Sequence, residues 1–75
     1  MKELLELLKS VRSDVDFESE EKLVDDGIID SFDIVSIIAE ISEKFNVDIT
    51  VDDISPENFN SAASIYALIE RLKEE

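Results

Sequence analysis

Asp30-Ser31-Phe32-Asp33-Ile34-Val35-Ser36-Ile37-Ile38-Ala39-Glu40-Ile41-Ser42-Glu43-Lys44-Phe45 is the stretch that decides how this chain folds. At about 100° per residue, Ile34, Ile37, Ile38, Ile41 and Phe45 fall within one arc, the strongest apolar face in the sequence. A helix from about Ser31 to Phe45 is therefore expected to be the spine of the core. Asp30 or Ser31 can cap its first amides, Asp33 suits the positive end of the helix dipole, and Asn46 is a plausible stop. Phe32 falls about 160° from Ile34, on the outer face with Ser36, Ala39 and Glu43. Val35, Ile38, Ile41, Ile49, Phe59 and Tyr66 are assigned to the core.

Towards the N-terminus, Leu4, Leu5, Leu8 and Val11 form one stripe over residues 2 to about 12, a first helix with Lys2, Glu3, Glu6 and Lys9 off the stripe. From Ser13 to Asp30 the periodicity fails, although Phe17, Leu23, Ile28 and Ile29 can pin a long loop to the core. A short helical turn within it is compatible with the sequence, and loops of this length inside small domains are more often functional than idle. Towards the C-terminus, Val47-Asp48-Ile49-Thr50-Val51 alternates as a strand would. One strand has no partner here, so an extended connector is expected, with Val47, Ile49 and Val51 turned inward. Ser55 before Pro56 predicts a short third helix of about one turn. A final helix from about Ser61 to Lys73, capped by Asn60 or Ser61, carries Ala62, Ile65, Tyr66, Ile69 and Leu72 on one face. The expected fold is all-α: a four-helix bundle of three long helices and one short, forming one domain over residues 1–75.

Composition supports a globular chain near the lower size limit for an unstapled core. Hydrophobic residues make up 44 % of the sequence and charged residues 36 %. With no cysteine, neither disulfides nor thiolate metal sites are available, which suits a reducing compartment. Seven basic against 20 acidic residues give a net charge of −13. Nucleic acid is thereby excluded as a natural partner, because binding phosphates needs a basic face. Nine acids lie between Asp14 and Asp33, with Lys22 the only base among them, so a basic protein surface is the complement. No stretch approaches the roughly 20 apolar residues of a membrane span, and the N-terminus has no apolar core of signal-peptide length. A cytoplasmic protein, monomeric, is expected.

Ser31 is the candidate for chemistry. It stands between Asp30 and Asp33 where the acidic loop gives way to the helix, presented to a partner rather than buried. The chain has no His or Cys to activate it, so any reaction there depends on prior modification. Other sites fare poorly. An EF-hand loop starting at Asp14 would want Gly where Ser19 stands and Glu where Asp25 stands. Asp25-Asp26 offers paired carboxylates, but a small bundle provides neither cleft nor cation for acid–base catalysis. Neither a metal nor an enzyme is expected.

The segment from Asp25 to Phe45 resembles the phosphopantetheine attachment region of acyl and peptidyl carrier proteins, with Asp30-Ser31-Phe32 matching the Asp-Ser-Leu motif except for Phe32. Length, acidity, the long first loop and the late short helix agree with that family across nearly the whole chain. Ile28-Ile29-Asp30-Ser31-Phe32 with Glu43-Lys44-Phe45-Asn46-Val47 is similar to the D-alanyl carrier proteins. Glu57-Asn58-Phe59-Asn60-Ser61 is similar to the later region of stand-alone peptidyl carriers. The resemblance implies that Ser31 takes 4′-phosphopantetheine from coenzyme A through a separate transferase, and that the arm's thiol then holds an acyl or aminoacyl group as a thioester.

The partners implied are the phosphopantetheinyl transferase, an adenylating or acyl-loading enzyme, and acceptor enzymes with basic docking surfaces. Asp30, Phe32 and Asp33 are the expected transferase contacts. Ser36, Ala39 and Glu43 are the expected docking positions for the enzymes that load and unload the arm. In fatty-acid carriers the outer face of the second helix is rich in carboxylates, whereas here Ser36, Ala39 and Ser42 interrupt it. An aminoacyl carrier is thereby favoured over a fatty-acid or polyketide one. The rival from another class is an unmodified acidic adaptor that binds a basic protein through the second helix.

Overall fold

The computed structural model describes residues 1–74. Among them, four α-helices follow one another: α1 (Lys2–Val11), α2 (Ser31–Phe45), the single-turn α3 (Pro56–Phe59) and α4 (Ala62–Lys73), with a 3₁₀ turn at Val51–Asp53 between α2 and α3. No strand occurs among these residues, and the all-α four-helix bundle of three long helices and one short that periodicity predicts is the fold observed. α1 packs on α2 and α4, and α3 packs on α4.

Local chemistry explains the helix ends. α2 starts with a reciprocal capping box: the Asp33 amide donates to the Asp30 carboxylate at 3.0 Å, and the Asp30 amide donates to the Asp33 carboxylate at 3.1 Å. It stops at Asn46, whose φ of 56° is the left-handed conformation that Asn tolerates. α3 has Pro56 in its first turn, where a missing amide proton costs nothing. α4 is capped by Ser61, which accepts from the Ser64 amide at 3.0 Å.

The core runs through all four helices and the long loop, with Leu4, Leu8, Phe17, Leu23, Ile37 and Ile41 among its fully buried side chains. Leu7 on α1 and Leu68 on α4 belong to it too, although the expected stripes omitted them. Both sit at the edge of their helix's apolar arc, which neighbouring helices cover from either side. Ile38, Ile49 and Tyr66 are half-buried against this core, and Phe59 is fully buried. Two assignments are corrected. Val35, expected in the core, is 63 % exposed. It lies about 100° round α2 from Ile34, beyond the arc that α1 covers. Val51, expected to turn inward at the end of an extended connector, is 83 % exposed. The chain there curls into the 3₁₀ turn, with the Thr50 amide and hydroxyl both donating to the Asp53 carboxylate at 3.2 Å, and the alternation of an extended chain is lost.

The loop from residue 12 to residue 30 is irregular but held. Val15, Phe17, Leu23 and Ile29 are buried, and the radius of gyration is 11.0 Å. That is the roughly 11 Å expected of a compact chain of this length, so the loop lies on the core. Two single helical turns break it, closed by Glu20 N–H to the Asp16 carbonyl (3.1 Å) and Asp26 N–H to the Lys22 carbonyl (2.8 Å). Gly27 then reverses the chain at a φ of 67°, which a side chain would strain.

Asn60, between α3 and α4, clamps this loop. Its side-chain carbonyl accepts from the amides of Val24 (3.0 Å) and Asp25 (3.1 Å), its side-chain amide donates to the Asp25 carboxylate (3.2 Å), and its own carbonyl accepts from the Leu23 amide (2.9 Å). Asn60→Ala deletes the side-chain bonds and should cost about 1–2 kcal/mol. Denaturant titration should show that loss, and hydrogen exchange should place it at the Val24 and Asp25 amides. Unchanged protection there would mean that the buried Leu23 and Phe17 hold the loop by themselves.

Candidate functional site

Ser31 is the first residue of α2, and its side chain is exposed. Of the two capping candidates, Asp30 takes the role, so the hydroxyl is not needed to close the helix. The first helical hydrogen bond runs from the Ile34 amide to the Asp30 carbonyl at 3.0 Å, and the Asp33 amide is taken by Asp30. The Ser31 and Phe32 amides precede the helical ladder, so together with the helix dipole they favour an anion at this helix start. A phosphodiester on this oxygen fits such a site.

Beside Ser31 the outer face of α2 is exposed and partly apolar. Phe32 is 84 % exposed, and Val35, one helical turn on from Ser31, adds to it. Ser36, Ala39 and Glu43 are exposed on the same side. The residues expected to dock partners thus share one face. Val35 was missed because its side chain suits a core, although its angular position on the helix matched Phe32 and Ala39 better than Ile37 or Ile41.

Asp33 does not share this freedom. Its side chain is only 15 % exposed, and one carboxylate oxygen receives both the Asp30 amide and an Arg12 guanidinium N–H at 2.6 Å. Arg12 stands at the end of α1 and makes two parallel bonds of 2.9 Å to Asp14 on its other edge. A longer bond of 3.4 Å reaches the Ile28 carbonyl. One guanidinium therefore joins the end of α1, the start of the loop and the start of α2. Asp14 and, after it, Asp33 raise the pKa of Arg12 above its ordinary value, and Arg12 in turn lowers Asp14 to about 2. Asp16 is held below the usual carboxylate range by the Ser19 hydroxyl, which donates to it at 2.7 Å. Sequence reasoning overlooked Arg12. The available signal was scarcity: between Lys9 and Lys22 it is the only base to meet the acids of the loop.

Among the described residues, no cluster of acids is arranged to hold a metal ion, and no helix is long and apolar enough to cross a membrane. The small helical bundle presents the Ser31 hydroxyl at a helix start, beside an exposed and partly apolar face. Residues 2–72 match the family model described as the phosphopantetheine attachment site, and the chain belongs to that family. Its cofactor is a covalently attached 4′-phosphopantetheine. The chain is 35 % identical over 60 residues to a D-alanyl carrier protein of Streptococcus equi subsp. zooepidemicus, covering 80 % of this chain and 76 % of that protein. It is 29 % identical over 62 residues to a D-alanyl carrier protein of Lactobacillus acidophilus, covering 83 % and 78 %.

Proposed function

We propose that residues 1–75 act as one cytoplasmic, monomeric carrier domain, that Ser31 is its attachment residue, and that its cargo is an amino acid of the D-alanine type. The observation that carries the assignment of Ser31 is its place at the first position of α2, exposed and relieved of capping by Asp30. In the attachment step the Ser31 hydroxyl oxygen attacks the pantetheine-bearing phosphorus of coenzyme A. The Ser31 O–P bond forms, the pyrophosphate P–O bond breaks, adenosine 3′,5′-bisphosphate leaves, and the hydroxyl proton passes to a base of the transferase. Once attached, the arm supplies a thiol that carries the aminoacyl group as a thioester. The chain performs no catalysis of its own: Ser31 has no imidazole beside it, and its role ends at anchorage.

The names of the similar proteins support the choice of an aminoacyl cargo over a fatty-acid or polyketide one. So does the outer face of α2, where Ser36 and Ala39 stand exposed beside Glu43. Asp30, Phe32 and Asp33 are assigned to transferase recognition, with Asp33 acting through its hold on the helix start. Phe32, Val35, Ser36, Ala39 and Glu43 form the docking face for loading and acceptor enzymes, whose complementary surfaces are basic at the rim. Incubation with coenzyme A and a broad-specificity phosphopantetheinyl transferase should add one arm, located by peptide mass spectrometry on Ser31. An ATP-dependent adenylating enzyme specific for D-alanine should then load the thiol. Loading by a fatty-acyl ligase alone would move the assignment to an acyl carrier, and no mass gain at all would leave an unmodified acidic adaptor.

Partner association should be electrostatic in rate. The acids between Asp14 and Asp33 attract a basic surface, and screening at about 0.1 M salt shortens that attraction to roughly 10 Å. Stopped-flow binding to the loading enzyme should show an association rate that falls with salt while dissociation changes little. An association rate indifferent to salt would assign recognition to the apolar stripe of Phe32 and Val35 instead.

A further inference from the structure

We propose that Arg12 is a positioning residue for the modified serine: by holding Asp33, it keeps the start of α2 hospitable to the phosphodiester and couples the arm to the junction between α1 and α2. The inference rests on Ser31 being the attachment residue. Attachment places a new negative charge between Asp30 and Asp33, in a chain that already has a net charge of −13. The two free amides and the helix dipole favour that anion, and the two carboxylates oppose it.

The balance is set by what the carboxylates are doing. The Asp30 carboxylate accepts the Asp33 amide in the capping bond, and the Asp33 carboxylate is closed off by Arg12 at 2.6 Å while it also accepts the Asp30 amide. Arg12 is itself restrained by its paired bonds to Asp14, so its guanidinium is presented to Asp33 in a fixed plane. Removing Arg12 leaves the Asp33 carboxylate uncompensated two residues along the helix from the phosphodiester, and it loosens the capping box that closes the start of α2. Lysine can keep the charge but not the fork that joins Asp14 to Asp33.

A loss of stability in Arg12→Gln alone would not separate positioning from ordinary structural support. The discriminating quantity is the effect of the arm on each variant. Apo and fully modified forms of the parent, Arg12→Lys and Arg12→Gln are to be melted at low and high salt, with modification confirmed by intact mass. The arm should lower the melting temperature of Arg12→Gln by roughly 2–5 °C more than it lowers that of the parent. Arg12→Lys should fall between them, and the difference should vanish in high salt, where the charges are screened. A shift on modification that is equal in all three proteins would overturn the proposal and leave Arg12 a structural tie. If Arg12→Gln is too unstable to melt cleanly, the comparison of Arg12→Lys with the parent decides the matter by the same criterion. An unmodified parent protein would refute the assignment of Ser31 instead, so the two failures are distinct.

Discussion

Ser31→Ala should accept no phosphopantetheine under conditions in which the parent is fully modified. The expectation is a complete loss, because the other serines are poor substitutes. Ser10 and Ser19 are exposed but donate to the Leu7 carbonyl (2.6 Å) and the Asp16 carboxylate (2.7 Å). Ser42, Ser55, Ser61 and Ser64 are partly buried, and Ser61 and Ser64 bond each other across the start of α4. Ser36 is exposed, but it lies inside α2, where its neighbours' amides are committed to the helical ladder and cannot receive a phosphate. Ser13, on the loop, has no helix start beneath it. The variant should fold as the parent does, since Asp30 rather than Ser31 closes the capping box. Intact-mass analysis after exhaustive incubation reads the result, with circular dichroism to confirm the fold. An arm still added to Ser31→Ala would remove the attachment site from α2's first residue and with it the geometric case for the docking face.

Ile41→Ala should be the most damaging single change in α2. Ile41 is fully buried near the middle of the helix, and truncating such a side chain costs about 2–5 kcal/mol. That is a large part of the roughly 5–15 kcal/mol that holds a typical domain together, and self-repulsion from the net charge of −13 acts in the same direction. Ile41→Ala is therefore expected to be largely unfolded at low salt and partly restored by added salt. Ser36→Ala, on the exposed face, should melt within a degree or so of the parent. Thermal melts followed by circular dichroism at two salt concentrations compare the three. Equal melting temperatures for the two variants would mean that α2 is rotated relative to the core described above.

What could be read without the structure was whatever depends on neighbours in the chain. The span of α2 from Ser31 to Phe45, the stop at Asn46, the single turn after Ser55-Pro56 and a cap at Asn60 or Ser61, of which the structure uses Ser61, follow from periodicity and capping chemistry acting over three or four residues. The angle of Phe32 on α2 placed it on the outer face, and the packed structure leaves it exposed there rather than folded back onto the loop. Other features depend on which element covers which face. Leu7 and Leu68 are buried because α1 and α4 meet neighbours on more than one side, and Val35 is exposed because nothing covers that side of α2. Val15 is buried in a stretch with no periodicity to announce it.

The partners of the two polar devices that organise the long loop could not be read from the sequence either. Asn60 closes on Val24 and Asp25 across 36 and 35 positions, and Arg12 reaches Asp33 across 21. No local pattern in an isolated sequence records a hydrogen bond at such a separation. The sequence alone determined where the helices lie and placed Ser31 at the start of one, because both are set by local backbone and side-chain geometry. Only the packed structure decided which cation holds Asp33 at the start of that helix and which apolar side chains remain on the surface, because both depend on segments distant in the chain being brought together by the burial of a shared core.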